Sequence, residues 1–271
     1  MMWLHKLRPF LVVLILTILP VLFSCNVLNS PQEELLPIEG TIFFSVQEGY
    51  TSYYSVETPR IRLTMITEKQ YPNYNYEIRH KVTIFGNIIS VKLNGIYKPP
   101  ILLHAFGPAT ASSFLELSEG EYSLHFSDGS FVDQYRLTVT GSSIKVTKIL
   151  ARFTIPTLEL YLRYPANSMA YLCGTNGPFS WIHQDFLDTL LSKIHLTEFQ
   201  FPDSGIWPYP SLGVGSHYYT PTKFFYYETE EDFDKAGEIL KTYIQTVLKG
   251  YEYETFAISL IGWNNKVFKS W

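Results

Sequence analysis

Residues 117–140 read LSEGEYSLHFSDGSFVDQYRLTVT. Tyr122, Leu124 and Phe126 alternate with polar neighbours, and Tyr135, Leu137 and Val139 do so again. Side chains two apart share one face of a strand, so each run carries one apolar and one polar face. Ser127-Asp128-Gly129-Ser130 lies between the runs and supplies the residue types of a tight turn. The stretch therefore predicts an antiparallel hairpin with one face buried. The same alternation extends outward to strands expected at 41–46, 61–67, 77–85, 88–93, 114–117 and 144–149. Asn94-Gly95 and Gly141-Ser142-Ser143 are further turn signals. Short strands at this density, with no helical period among them, predict an antiparallel β-sandwich over residues 39–150.

Within that stretch, Leu117-Ser118-Glu119-Gly120-Glu121-Tyr122 leads into a strand. It resembles the tyrosine corner of immunoglobulin-like sandwiches, which implies that the Tyr122 hydroxyl bonds back to nearby backbone. The Cys…Trp…Cys hallmark of that fold is absent, so the resemblance implies a disulfide-free relative. Another antiparallel sandwich or barrel with a Gly-x-Tyr turn remains open.

After Ala151 the period changes. TLELYLRY (157–164) alternates as a strand. Ser180 then precedes a helical stretch, 181–194, with Ile182, Phe186, Leu187, Leu190, Leu191 and Ile194 on one face. Residues 198–201 and 223–228 read as strands around a Pro- and Gly-rich loop, 202–221. Thr229-Glu230-Glu231-Asp232 has the form of a capping box. It opens a second helix with a stripe of Phe233, Ala236, Leu240, Tyr243 and Val247, and 254–261 closes the pattern as a strand. The order β-α-β-β-α-β is similar to the ferredoxin-like arrangement. The expected fold class is thus an all-β immunoglobulin-like sandwich followed by an α+β, ferredoxin-like domain over residues 151–271.

The N-terminus carries an address. Met1–Arg8 holds His5, Lys6 and Arg8 and no acid, and PFLVVLILTILPVL (9–22) is an uncharged apolar run. Leu22-Phe23-Ser24-Cys25 follows. A basic start, a short apolar core and a small residue before the cut define a secretory signal, and the run is too short to span a bilayer. The ending resembles the lipobox of bacterial lipoproteins. That resemblance implies removal of residues 1–24, lipid on the Cys25 sulfur, and a membrane partner engaged through that lipid. Asn26 in place of Asp points to the outer membrane in an organism that has one. Residues 25–38 are polar with two prolines and read as a tether. The expected location is the bacterial cell envelope.

With 46% hydrophobic and 17% charged residues the chain can bury a core. A net charge of −4 without a basic stretch argues against nucleic acid, since phosphate contacts supply most of that affinity. Cys25 and Cys173 are the two cysteines, so a lipidated Cys25 leaves Cys173 unpaired. Cys173 is expected in a loop before the first helix. It is either a thiol served by His183 or His217, or a small buried hydrophobe. His183 and Asp185 lie two apart on a helix and point apart, and His195 suits a helix end. No HExxH, GxSxG or phosphate-cradling glycine loop occurs, so no catalytic residue, metal site or cofactor is assigned.

The loop 202–221, PDSGIWPYPSLGVGSHYYTP, supplies the candidate binding residues: Trp207, Tyr209, His217, Tyr218 and Tyr219. Exposed rings there would stack on a glycan or grip an envelope protein; turned inward they would cap the core. The leading expectation is a non-catalytic, lipid-anchored binding or assembly protein. An envelope enzyme with its site in the C-terminal half, around Cys173 or Asp203, and an accessory subunit of a surface fibre or transport complex are the alternatives.

Overall fold

The computed structural model describes residues 35–101, 103, 105–175, 177–210, 218–251 and 256–270. Cys25 and the expected signal and tether up to residue 34 lie outside them, as does His217. Leu36–Trp271 forms one compact unit.

The first part of this unit is built from β1 (Leu35–Leu36), β2 (Ile42–Gly49), β3 (Arg60–Tyr71), β4 (Glu77–Phe85), β5 (Ile88–Tyr97) and β6 (Gly107–Leu115). β7 (Gly120–Ser127), β8 (Val132–Val139), β9 (Ser143–Leu150), β10 (Thr154–Pro156) and β11 (Leu160–Leu162) continue it. The strands run β10-β2-β3-β6-β4-β5-β7-β8-β9-β11 across one curled mixed sheet. The expected two-sheet immunoglobulin-like sandwich is therefore corrected. β10 pairs with β2, β4 with β6, and β5 with β7 in parallel, and these pairs join what would have been two sheets into one. Alternation within a strand reports which face is buried, but not which strand lies next to it. The Tyr122 hydroxyl does donate to the Ser118 carbonyl at 2.9 Å. That local bond forms without the sandwich around it.

The curl brings the sheet's ends together. Residues 154–162 leave β2, where the Thr157 N–H donates to the Phe44 carbonyl at 2.7 Å. They then reach β9, where the Val146 N–H donates to the Glu159 carbonyl at 2.8 Å. The fully buried Asp133 carboxylate fixes the start of this crossing. It accepts from the N–H groups of Arg152, Phe153 and Thr154 and from the Thr154 hydroxyl, at 2.7–3.0 Å. Four donors offset the desolvation of one buried charge. Inside the curl lie Phe44, Leu63, Met65, Phe126, Tyr135 and their neighbours.

The second sheet runs β13 (Thr197–Phe199), β15 (Lys223–Tyr226), β12 (Ser168–Thr175), β16 (Phe256–Gly262), β17 (Val267–Lys269). The short β14 (Tyr218–Tyr219) pairs with the end of β12. Helices α1 (Trp181–Leu191) and α2 (Glu230–Thr246) pack on it over a core that includes Tyr171, Phe186, Phe225, Phe233 and Leu260. The capping box forms: the Thr229 hydroxyl accepts from Asp232 N–H, and the Asp232 carboxylate accepts from Thr229 N–H.

The ferredoxin-like expectation is corrected as well. The segment 157–164, expected to open that domain, contributes β11, which pairs with β9 of the first sheet. The central strand is instead β12, every residue of which is buried. The sheet continues past β16 to β17. With 48% strand and 14% helix the chain is mostly β. No helix among the described residues is long and apolar enough to cross a membrane.

Candidate functional site

β2 and β3 pair from Ile42↔Thr67 to Gly49↔Arg60, and the chain between them, residues 50–59, reaches out to the second sheet. Small polar residues organise this loop. Glu57 Oε1 accepts from Thr51 N–H and hydroxyl, each at 2.5 Å, and from the Ser55 hydroxyl at 2.6 Å. The bonds from Ser55 and Thr51 hold the Glu57 carboxyl down at about 2. Three further bonds come from one side chain on the β16–β17 turn. Asn265 Nδ2 donates to the carbonyls of Ser52, Tyr53 and Ser55 at 3.4, 3.0 and 2.8 Å. Asn265 has φ 65°, a left-handed conformation that asparagine tolerates. Tyr50 completes the tie by donating its hydroxyl to the Trp263 carbonyl at 2.6 Å.

The facing wall comes from the chain after β11. Glu48, whose side chain is 2% exposed, accepts from Arg163 Nε at 2.8 Å and from Tyr164 N–H at 2.7 Å. Tyr164 in turn donates its hydroxyl to the Pro208 carbonyl at 2.6 Å. The Leu162 N–H donates to the Ile206 carbonyl at 2.9 Å, so the start of the Pro-rich loop runs beside β11. Trp207 then packs edge-on against Phe224 with ring centroids 5.3 Å apart.

Between these walls lies a cleft of about 390 Å³, lined by Gln47, Tyr50, Ser52, Arg62, Trp207 and Asn265 among others. A second hollow of about 530 Å³ adjoins it and shares Tyr50, Tyr53, Tyr164 and Asn265. The two fall within the size range of small-ligand sites, roughly 300–1,000 Å³. Tyr50 and Tyr164 meet at 5.5 Å between ring centroids and form the floor. Burial raises both phenols above the ordinary tyrosine range, so they remain protonated at neutral pH. Tyr53 and Tyr54 stand on the rim, 75% and 87% exposed, edge to face at 5.1 Å.

The loop residues expected to bind are thus divided. Trp207 lines the cleft and is 42% exposed. Tyr209 is 4% exposed and turns inward, its hydroxyl 2.7 Å from Ser168 Oγ. Tyr218 and Tyr219 enter β14 beside Gly174 and Thr175. Tyr50, Tyr53, Tyr54, Arg62, Tyr164 and Asn265 were not singled out from the sequence. The signal for three of them is the Tyr50-Thr-Ser-Tyr53-Tyr54 run at a strand end. A lone arginine in an alternating strand carries none.

Cys173 lies in β12 rather than in the expected loop, and is 1% exposed. Burial pushes its thiol up to about 11. His183 stacks on Tyr171 with ring centroids 5.3 Å apart, and its Nδ1 lies 2.9 Å from Thr220 Oγ1. Its pKa is lowered by burial and by Lys223. Among the described residues no group of three or more His, Cys, Asp or Glu side chains converges to hold a metal. The cleft between the two sheets is therefore the arrangement with the shape and chemistry of a binding site. No family model matches the chain, and no curated protein or solved structure does, so the cleft's own residues are the ground on which its role rests.

Proposed function

We propose that this chain is a lipid-anchored protein of the bacterial cell envelope that binds a glycan or an envelope protein in the cleft between its sheets and catalyses no reaction on it. The supporting observation is the exposure of Tyr53 and Trp207 around the first hollow, with Tyr54 beside Tyr53 on the adjoining one. Exposed rings clustered on a concave surface are unusual for a surface without a partner. The anchor rests on the Leu22-Phe23-Ser24-Cys25 motif. Mass spectrometry of the purified chain tests the anchor: an acylated Cys25 as first residue is expected, and a retained residue 1–24 segment counts against it. The cleft is tested by pull-down from solubilised envelopes with the wild-type chain and with Tyr53→Ala/Trp207→Ala. The expected result is a ligand captured by the first and lost by the second. A ligand held equally by both removes the cleft from the proposal.

A second reading, an accessory subunit that receives a strand of an envelope partner, is supported by β4. The β4–β6 ladder holds a single pair, Glu77↔Thr110, and a hollow of about 470 Å³ opens beside it. Phe85 at the hairpin tip is 86% exposed. An open edge of this kind accepts an added strand. Slowed amide exchange at residues 79–85 on adding a partner would support it; unchanged exchange there would count against it.

A further inference from the structure

Arg62 lies on the outer face of β3, between the core residues Ile61 and Leu63, and opposite Gln47 of β2. It lines the 390 Å³ cleft. Its neighbour Gly49 leaves room for it: a Cβ there would stand 3.2 Å from the guanidinium carbon. The other cations of this region are engaged. Arg163 is paired with Glu48, and Arg60 with Glu116. Arg62 forms no ion pair or hydrogen bond among the described residues, and its Nε is buried without a partner. The acid on the cleft wall, Glu48, already accepts from Arg163 and Tyr164.

A guanidinium is charged at every pH the protein meets, and leaving it part-buried without an anion is costly. Its planar fork matches a carboxylate in two parallel hydrogen bonds. Around it the cleft offers two kinds of surface. Tyr53 and Trp207 provide flat rings on which the apolar face of a sugar ring buries area. Gln47, Ser52 and Asn265 provide donors and acceptors for hydroxyl groups. That mixture fits a saccharide better than a peptide's apolar side chains.

We propose that the ligand of this cleft is an acidic glycan, and that Arg62 pairs with the carboxylate of a uronic-acid-type sugar while Trp207 and Tyr53 hold its ring. The proposal rests on the cleft being the binding site and adds the chemistry of what enters. The experiment is titration calorimetry of the full-length chain in detergent with an oligogalacturonate and with the same oligomer as its neutral methyl ester. Wild type is expected to bind the acid at least tenfold more tightly than the ester. Arg62→Gln is expected to bind both forms equally, at the wild-type affinity for the ester. Arg62→Met, which keeps much of the side chain's length without its charge, serves as the variant if Gln fails to fold, with the same expected result. Trp207→Ala is expected to weaken both forms by a similar factor. Equal wild-type affinity for acid and ester would leave the cleft standing and overturn the carboxylate assignment. Binding of neither form by wild type would overturn the glycan reading itself, and with it the role given to Arg62.

Discussion

Cys173 shows how one residue's surroundings set its chemistry. It sits in the centre of β12, against Tyr171 and the buried faces of both helices. A thiolate there would be a charge in an apolar interior, which is why the thiol is pushed up to about 11. This has a consequence for stability. A raised acid pKa means that the unfolded chain releases its proton first. The contribution of the neutral thiol is therefore complete below about pH 9 and is lost as pH rises to about 11. The loss is on the order of 3 kcal/mol, at about 1.4 kcal/mol per unit. Urea unfolding of wild type and Cys173→Ala at pH 8 and pH 11 tests it. The variant is expected to be less stable at pH 8 by about 1–2 kcal/mol, from the lost packing. The gap is expected to close or reverse at pH 11. A gap independent of pH would mean that the thiol is not held neutral by burial. Tyr209 is raised too, without Cys173 among the causes, and cancels in the difference. Tyr171 is raised first by burial and only then by Cys173, so burial keeps it protonated in the fold over this pH range in both chains.

At the scale of elements, legibility follows exposure contrast. The hairpin of β7 and β8 was readable because each strand has one wet and one dry face. β12, Ser168–Thr175, has neither alternation nor polar punctuation, because sheet strands flank it and both its faces are covered. Read without its neighbours it resembles a loop, and that displaced the start of the second sheet to 157–164. The helices were readable from their apolar stripes, yet a packing detail inside one was not. Gly237 lies in the middle of α2, where glycine costs about 1 kcal/mol relative to alanine. The reason it stands there is the Phe268 ring of β17: a Cβ on Gly237 would lie 2.5 Å from two of its carbons. Gly237→Ala is thus expected to destabilise by about 1–3 kcal/mol despite its better helix propensity. Thermal unfolding measures this, and a raised midpoint would show that β17 yields without cost. Pairing the substitution with Phe268→Leu is expected to restore part of the loss.

At the scale of the whole molecule, the candidate site belongs to neither sheet alone. Trp207 was readable as an unusual aromatic in a long loop, but its partners across the cleft come from residues 50–54 and 62, more than a hundred positions away. Only the tertiary fold brings them together. The joint between loop 50–59 and the β16–β17 turn depends on Asn265, whose amide reaches the carbonyls of Ser52, Tyr53 and Ser55. Asn265→Gly keeps the left-handed backbone accessible while deleting the amide, so it isolates the tie from backbone strain. The loop is largely exposed and water can replace those bonds, so global stability is expected to fall by about 1 kcal/mol or less. Ligand affinity is expected to fall further, by about tenfold, because Tyr53 and Tyr54 must then be ordered at the moment of binding. Limited chymotrypsin digestion should cut after Tyr53 or Tyr54 faster in the variant than in wild type. If cleavage and affinity both stay at wild-type values, the Asn265 amide is not what orders the loop, and the Tyr50–Trp263 bond together with the Glu57 network suffices.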